Sequence, residues 1–315
     1  MSNLLFSLNI VMPIFFLIMT GVFLRRVGVL KEEFCRQANT LVFYVALPAT
    51  LFMDVAQSDI KAVFDIRFIL YAAAMSFIIF FLAWFLAVLL LRDKAKISAA
   101  VHGAFRGNFA FIGLPVIRSM MQSDTITSGI MVIAFIVPLY NVLATFILAL
   151  YDPEDSHVSP RGMLLKMLKN PLIISILAGI PFSLIPIPIP KMCADTLDFI
   201  GQLSMPLALL MIGANLRMES FRSEAKGILL SSAVKILVSP VAGTLGALLL
   251  GFRGEQLVTL FVLFSVPSAA NTYIMTKQMH GDAEMSAGIV MVTSLFCTVT
   301  MAAGIFLLKT FGALS

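Results

Sequence analysis

Two basic side chains lie where an apolar chain rarely tolerates them. Arg106 and Lys235 sit deep inside long hydrophobic stretches, about 12–14 Å from the nearest edge at the helical rise per residue. An ionised group at that depth is costly and faces a cavity or a partner. Arg106 opens the run Gly107-Asn108-Phe109-Ala110-Phe111-Ile112-Gly113-Leu114-Pro115. The second half of the chain contains Ser265-Val266-Pro267-Ser268-Ala269-Ala270-Asn271-Thr272-Tyr273. In each run a proline removes a backbone donor and crowds the preceding turn, so a helix breaks. In lipid the freed backbone groups need new partners, which an unwound stretch lining a cavity supplies. The chemistry such residues can do is non-covalent. Arg106, Gly107, Asn108 and Asn271 would hold a small anion, with Gly113, Pro115 and Pro267 marking the breaks. Half-helix N-termini would add positive potential, and Lys235 would supply field or a coupling charge. No deep Asp or Glu answers the two cations, which favours an anionic ligand.

Other readings stay open for each residue. The breaks could be simple proline kinks, with Asn108 and Asn271 bonding neighbouring helices. Arg106 could snorkel to one surface, and Lys235 could bond the carbonyls of a broken helix. Asn141, in Pro138-Leu139-Tyr140-Asn141, either faces the site or bonds a helix. Asn215 is placed to cap a helix end. His102 reads as interfacial. Cys35, Cys193 and Cys297 are far apart and read as packing residues, with no zinc or redox spacing. There is no paired Asp, no HExxH and no Ser/His set, so the chain does not read as an enzyme, and no cofactor or metal is expected.

The elements that must position these groups follow from composition. The chain has 315 residues, 60% hydrophobic and 12% charged, with net charge +5. Soluble domains are nearer 45–50% apolar and 25% charged. A soluble enzyme, a disordered chain and a disulfide-rich module are thereby excluded. Ten stretches reach the roughly 20 residues needed to cross hydrocarbon. They are 4–24, 37–57, 68–91, 97–121, 126–151, 169–188, 195–216, 227–251, 256–279 and 285–308. The first reads as a span and not a cleaved leader, because no basic segment precedes it. The longest polar connection, Asp152–Lys169, leaves no room for a soluble domain.

The cations orient these spans. The bands Arg25–Arg36, Arg92–Lys96, Arg161–Lys169, Arg217–Lys226 and Lys277 hold 14 of the 22 Lys and Arg. Six lie on the other side: Lys61, Arg67, Arg118, Lys191, Arg253 and Lys309. The positive-inside bias places both termini on the extracytoplasmic side. The same bias explains the positive charge without a nucleic-acid partner.

The halves resemble each other at an offset of 158, where Pro13 meets Pro171, Gly21 meets Gly179 and Pro48 meets Pro206. Pro115 and Pro267 match at 152, after a six-residue slip. Five spans per half is odd, so the second repeat must be inverted, as in many secondary transporters.

The run Arg106–Pro115 resembles the auxin efflux carrier family, and within it the bacterial branch that carries malonate, malate and similar carboxylates. Ala46-Leu47-Pro48-Ala49, Tyr140-Asn141, Met205-Pro206-Leu207-Ala208-Leu209 with Gly213-Ala214, Lys235 with Pro240, and Pro267-Ser268-Ala269 follow in order. The resemblance implies an all-α polytopic membrane protein in the fold shared with bile-acid sodium symporters. Ten helices form two inverted repeats, residues 1–158 and 159–315, whose broken helices 4 and 9 cross. Helices 1, 2, 6 and 7 would form a scaffold that pairs as a homodimer. Helices 3–5 and 8–10 would form a transport domain moving like an elevator in the inner membrane. Its cargo would be a small mono- or dicarboxylate at Asn108 and the Pro115 and Pro267 breaks, with Asn141 beside it. A sodium-coupled symporter and a membrane ligand sensor are the alternatives. The sodium symporters' acidic residue near the crossover has no counterpart here, and only Asp152–Lys169 separates the halves, where plant auxin carriers have a long loop.

Overall fold

A computed structural model describes residues 2–57, 65–121, 127–153, 160–185, 187–215 and 223–310. Its helices in chain order are α1 (Ser2–Arg26), α2 (Glu32–Ala56), α3 (Ile66–Leu90), α4 (Lys94–Phe105) and α5 (109–121). Then come α6 (Thr127–Leu150), α7 (Pro160–Lys169), α8 (Pro171–Leu184) and α9 (Lys191–Ala214). The last four are α10 (Ala225–Leu249), α11 (Gly254–Ser265), α12 (Ala270–Gln278) and α13 (Ala283–Thr310). No strand occurs among the described residues. Among the described residues, six helices, α2, α3, α6, α9, α10 and α13, are long and apolar enough to cross a membrane. Shorter apolar helices occupy residues 109–118, α8 and α11.

Helix fills the described part of each stretch picked out by hydropathy, apart from a few residues near the ends, a turn at Leu203 and two mid-span interruptions at 106–108 and 266–269. The connection 152–169 differs from the expectation, because α7 occupies its second half. Asn170 separates it from α8: its side chain accepts from the Leu172 N–H at 2.9 Å, and Pro171 takes the first helical position. The cations Lys61, Arg217 and Arg222, the span ends Ile126 and Leu216, and the repeat boundary at 158/159 lie outside the described residues.

Proline shapes the helices in a regular way. Wide π-helical turns span Val42–Ala46, Phe109–Gly113, Val132–Ile136 and Val234–Val238. Each ends two residues before a proline: Pro48, Pro115, Pro138 and Pro240. A proline has no N–H for the carbonyl four residues back and its ring crowds that carbonyl. Widening the preceding turn relieves the clash without breaking the helix. Acidic N-caps start two helices. Asp65 accepts from the N–H groups of Arg67 (3.0 Å) and Phe68 (3.2 Å), and Asp93 from those of Ala95 (2.8 Å) and Lys96 (3.3 Å). Asn215 stands at the C-terminal end of α9 and donates to the Met211 carbonyl at 2.8 Å, the capping role expected of it.

Small residues let two helix pairs touch at the backbone. A Cβ on Gly21 of α1 would collide with the Leu210 carbonyl of α9, and one on Gly213 with the Ile18 carbonyl. A Cβ on Gly179 of α8 would lie 3.0 Å from the Phe52 carbonyl of α2. Gly21 pairs with Leu210 as Gly179 pairs with Phe52, and both members shift by 158 residues, the offset of the sequence repeat. Around these pairs α4 packs against α3, α6, α10 and α13. The outer faces are apolar. On α3, Leu70, Ile78, Phe81, Phe85 and Leu89 are exposed, while Phe68, Ala72, Ile79, Ala83 and Ala87 are buried. Water would not tolerate that surface, whereas lipid solvates it.

Candidate functional site

The chain leaves helix twice at the same depth. Residues 106–108 separate α4 from α5, and residues 266–269 separate α11 from α12. The two breaks pair with each other. The Asn108 N–H donates to the Pro267 carbonyl at 2.8 Å, and the Ala269 N–H to the Arg106 carbonyl at 3.4 Å. Gly107 and Ser268 thus form a single antiparallel bridge. The backbone groups released by the breaks find partners in each other, as a dry interior requires.

Four helix ends converge here. The C-terminus of α4 is capped from two sides. Lys235 Nζ donates to the Phe105 carbonyl at 3.4 Å, and Ser268 Oγ donates to the Gly103 carbonyl. A cation beside the negative end of a helix is favourable. Lys235 rides on the π turn of α10 and is fully buried. A Cβ on Gly107 would lie 3.0 Å from its Nζ, so only glycine lets the ammonium come this close. The N-termini of α5 and α12 open the other way. Neither Asn108 nor Ala269 makes a side-chain cap bond. Asn108 is buried, and the buried Oδ1 of Asn271, in the first turn of α12, has no hydrogen-bond partner. Two amides and two positive helix ends therefore meet at one place. Ser268 is further tied to α13, its N–H donating to Thr293 Oγ1 at 3.1 Å.

Arg106 turns from the break into the helical body. Its Nη2 donates to Asn141 Oδ1 at 2.9 Å, and its Nη1 reaches His102 Nε2 at 3.3 Å and Met275 Sδ. The residue is 6% exposed. All three partners are neutral. Among the described residues the ion pairs are Lys96–Glu224 (2.7 Å) and His280–Asp152 (3.2 Å), at the helix ends. Hydrogen bonds from a charged group contribute about 1.5–3 kcal/mol each. A buried ion without a counter-charge costs several kcal/mol. The neutral bonds hold the guanidinium in place but leave its charge uncompensated.

The sequence-expected residues separate into two groups. Gly107, Asn108, Pro267 and Lys235 meet at the crossover, and Asn271 stands one residue inside α12. Arg106 joins them by its backbone, while its side chain lies with Asn141. Asn141 is not a free amide: its Nδ2 donates to the Val137 carbonyl at 2.9 Å while its Oδ1 holds Arg106. Gly113 and Pro115 lie beyond the break, in the π turn and first α turn of α5. Arg106 does not snorkel, and Lys235 does bond a carbonyl of the broken helix. His102 is not interfacial: it is fully buried, with Nδ1 3.1 Å from Thr276 Oγ1. Cys35 and Cys297 are buried as expected, but Cys193 is exposed. Sequence reasoning assigned nothing to Thr276, Met275 and Thr293. The one available signal was His102 four residues before Arg106, on the same helical face.

A polar cavity of about 480 Å³ lies toward the Lys/Arg-rich side, lined by Glu32, Glu33, Arg36, Asn215 and Lys277. It joins the start of α2, the end of α9 and the end of α12. A second cavity, about 570 Å³ between α10, α11 and α13, is apolar and offers an anion nothing. At the rim of the fold, Asp282 accepts from the Met285 N–H at 2.8 Å, and burial pushes its carboxyl above the usual range.

An apolar helical body whose two interrupted helices bond to each other beside buried, uncompensated cations has the character of a membrane transport protein. The comparison of sequences gives the family. The chain belongs to the membrane transport protein family, that of the auxin efflux carriers, whose family model matches residues 6–305. It is 24% identical to the uncharacterized transporter MJ1031 of Methanocaldococcus jannaschii over 94% of this chain and 96% of that one. It is 23% identical, over 97% of both chains, to a Rhizobium meliloti protein named provisionally as a malonate transporter. The uncharacterized transporter YfdV of Escherichia coli is 24% identical over 88% of this chain and 90% of its own.

Proposed function

We propose that the protein is a secondary transporter of small organic anions, mono- or dicarboxylates, that holds its cargo at the crossing of the two breaks. One observation carries this reading: the buried Arg106 has only neutral partners, within the same body as the uncapped N-termini of α5 and α12. An anion supplies the missing counter-charge, and Asn108 and Asn271 orient it. The relative named for malonate supports a carboxylate. The paired contacts Gly21–Leu210 and Gly179–Phe52 support two inverted five-helix repeats. In this reading α1, α2, α8 and α9 form a scaffold that pairs as a homodimer, and α3–α6 with α10–α13 carry the cargo as an elevator. Both termini lie outside the inner membrane.

The test is uptake of radiolabelled malonate, malate, succinate and acetate into proteoliposomes. Wild-type protein accumulates at least one of them, and Asn108→Ala abolishes that uptake while remaining monodisperse in detergent. Full uptake by Asn108→Ala would remove the cargo from the crossover.

A further inference from the structure

His102 is a fully buried titratable group to which the transport reading gives no task. Its two ring nitrogens are both committed. Nε2 lies 3.3 Å from Arg106 Nη1, and a guanidinium only donates, so Nε2 must be the accepting, unprotonated nitrogen. The ring hydrogen therefore sits on Nδ1 and is donated to Thr276 Oγ1 at 3.1 Å. His102 is fully buried and Arg106 as a whole 6% exposed. A proton on Nε2 would break the bond to Arg106 and set two cations side by side in a dry core.

We propose that His102 is a proton-binding site coupled to the anion: a carboxylate that reaches Arg106 enters with a proton, which His102 Nε2 takes. This rests on the reading of the crossover as an anion site. The exchange balances. The proton comes from water on the side to which the site is open and adds to the Nε2 lone pair. Arg106 Nη1 turns its N–H from Nε2 to one carboxylate oxygen, and the new Nε2–H donates to the other. One bond from an ionised donor to a neutral nitrogen is replaced by two in which donor and acceptor are both ionised. On the far side anion and proton leave together, and Nε2 again accepts from Arg106. By linkage, whatever raises anion affinity when His102 gains a proton raises proton affinity equally when the anion binds.

The groups around the ring leave this task to the pair itself. Arg106 is the one charge that acts on His102 among the described residues. From α6, the Tyr140 hydroxyl accepts from Ser76 of α3 at 3.3 Å, and Asn141 holds Arg106. From α10, Lys235 is turned to the Phe105 carbonyl. From α12, Lys277 is bonded to the Tyr273 hydroxyl at 3.3 Å. From α13, Ile289 meets α4 at Gly103. Among the described residues no carboxylate bonds His102 or Arg106; Asp282, whose N–H donates to the Ala95 carbonyl at 3.1 Å, and Glu224, paired with Lys96 at 2.7 Å, stand at the start of α4.

Two measurements test the coupling. Purified wild-type protein in weakly buffered detergent with a pH dye is mixed in turn with malonate, malate, succinate and acetate. The carboxylate that drives counterflow in proteoliposomes draws protons from solution as it binds. Binding without proton uptake overturns the proposal. In proteoliposomes, an inward acid gradient raises wild-type uptake. His102→Gln, which can still accept from Arg106, takes up less, and its uptake is equal with and without the gradient. A persisting gradient response in that variant also overturns it. Should His102→Gln not fold, Thr276→Val frees Nδ1 and shifts the pH at which wild-type uptake peaks, and an unmoved profile counts against the site. Absence of counterflow by wild-type protein with all four carboxylates is a different result: it overturns the transport reading itself, and the coupling with it.

Discussion

Asn141 Oδ1 accepts a hydrogen bond from Arg106 Nη2 at 2.9 Å, joining α6 to the break after α4. The other end of the same amide donates to the Val137 carbonyl, so Asn141 acts as a bracket for the guanidinium. Asn141→Asp would give Arg106 an internal carboxylate at hydrogen-bond distance. If the uncompensated charge is what holds the cargo, this variant unfolds at higher temperature than wild type yet loses carboxylate uptake. A competing carboxylate removes about 2–5 kcal/mol of pairing, a loss of roughly 30-fold or more in affinity. Thermal unfolding and uptake on the same preparation check both halves, and uptake near wild type would show that Arg106 is not the counter-charge.

Lys235 is the next group whose removal is informative. Lys235→Met keeps the apolar stem but leaves the Phe105 carbonyl, at the open end of α4, without its donor. An unpaired buried acceptor costs about 1–3 kcal/mol. The expected outcome is a lower unfolding temperature together with weaker uptake, because the ammonium also lies beside Gly107. A variant as stable as wild type would show that the bond to Phe105 contributes nothing to the fold.

Gly21 tests the contact between α1 and α9. Its position admits no Cβ against the Leu210 carbonyl. Gly21→Val must push the helices apart, and overpacking of this kind costs about 1–3 kcal/mol. We expect a lower yield of folded protein and a reduced unfolding temperature, with Gly179→Val giving a smaller effect because its neighbour is 3.0 Å away. Equal and negligible effects at both positions would contradict the close crossing.

Asp65 provides a pH dependence outside the membrane. The N–H of Phe68, then the Gln256 amide at 2.7 Å and the N–H of Arg67, hold its carboxyl below the usual carboxylate range. A group with a lowered value in the fold adds stability that is present above its unfolded value, near 3.9, and is lost as pH falls through the folded value. Wild-type protein should therefore lose stability on acidification below about pH 4 more steeply than Asp65→Ala. At neutral pH the variant should be less stable by about 0.5–2 kcal/mol, the range for losing an N-cap. Parallel acid limbs for the two proteins in thermal unfolding would show that the cap is inert.

Most of the helical plan was legible because hydropathy and proline act locally. Pro267 and the pair Gly107-Asn108 marked the two breaks, but Gly113 and Pro115, expected to mark the first, lie in continuous helix beyond it, where the proline only widens a turn. The partners of those residues were not legible. Nothing in one sequence says that the Asn108 N–H meets the Pro267 carbonyl, or that Arg106 folds back on His102 and reaches Asn141. Those contacts depend on how helices far apart in the chain pack. His102 was misplaced for the same reason: counting residues from a span end measures depth but not whether a side chain faces lipid, headgroups or protein. The π turns were also unforeseen, although the proline that follows each one was in plain view.

The bond from the Asn108 N–H to the Pro267 carbonyl, with its companion from Ala269 to Arg106, works as a rivet between the two halves of the chain. Jaws that open by swinging one half from the other would have to pull that rivet where no water waits to take its place. Each such bond is worth about 4–6 kcal/mol in an apolar medium. In the elevator reading proposed above, the seat stays closed as one part and slides along a seam elsewhere. The polar cavity lined by Lys277 of α12, Arg36 of α2 and Asn215 at the end of α9 lies between the helices that this reading holds still and those it moves.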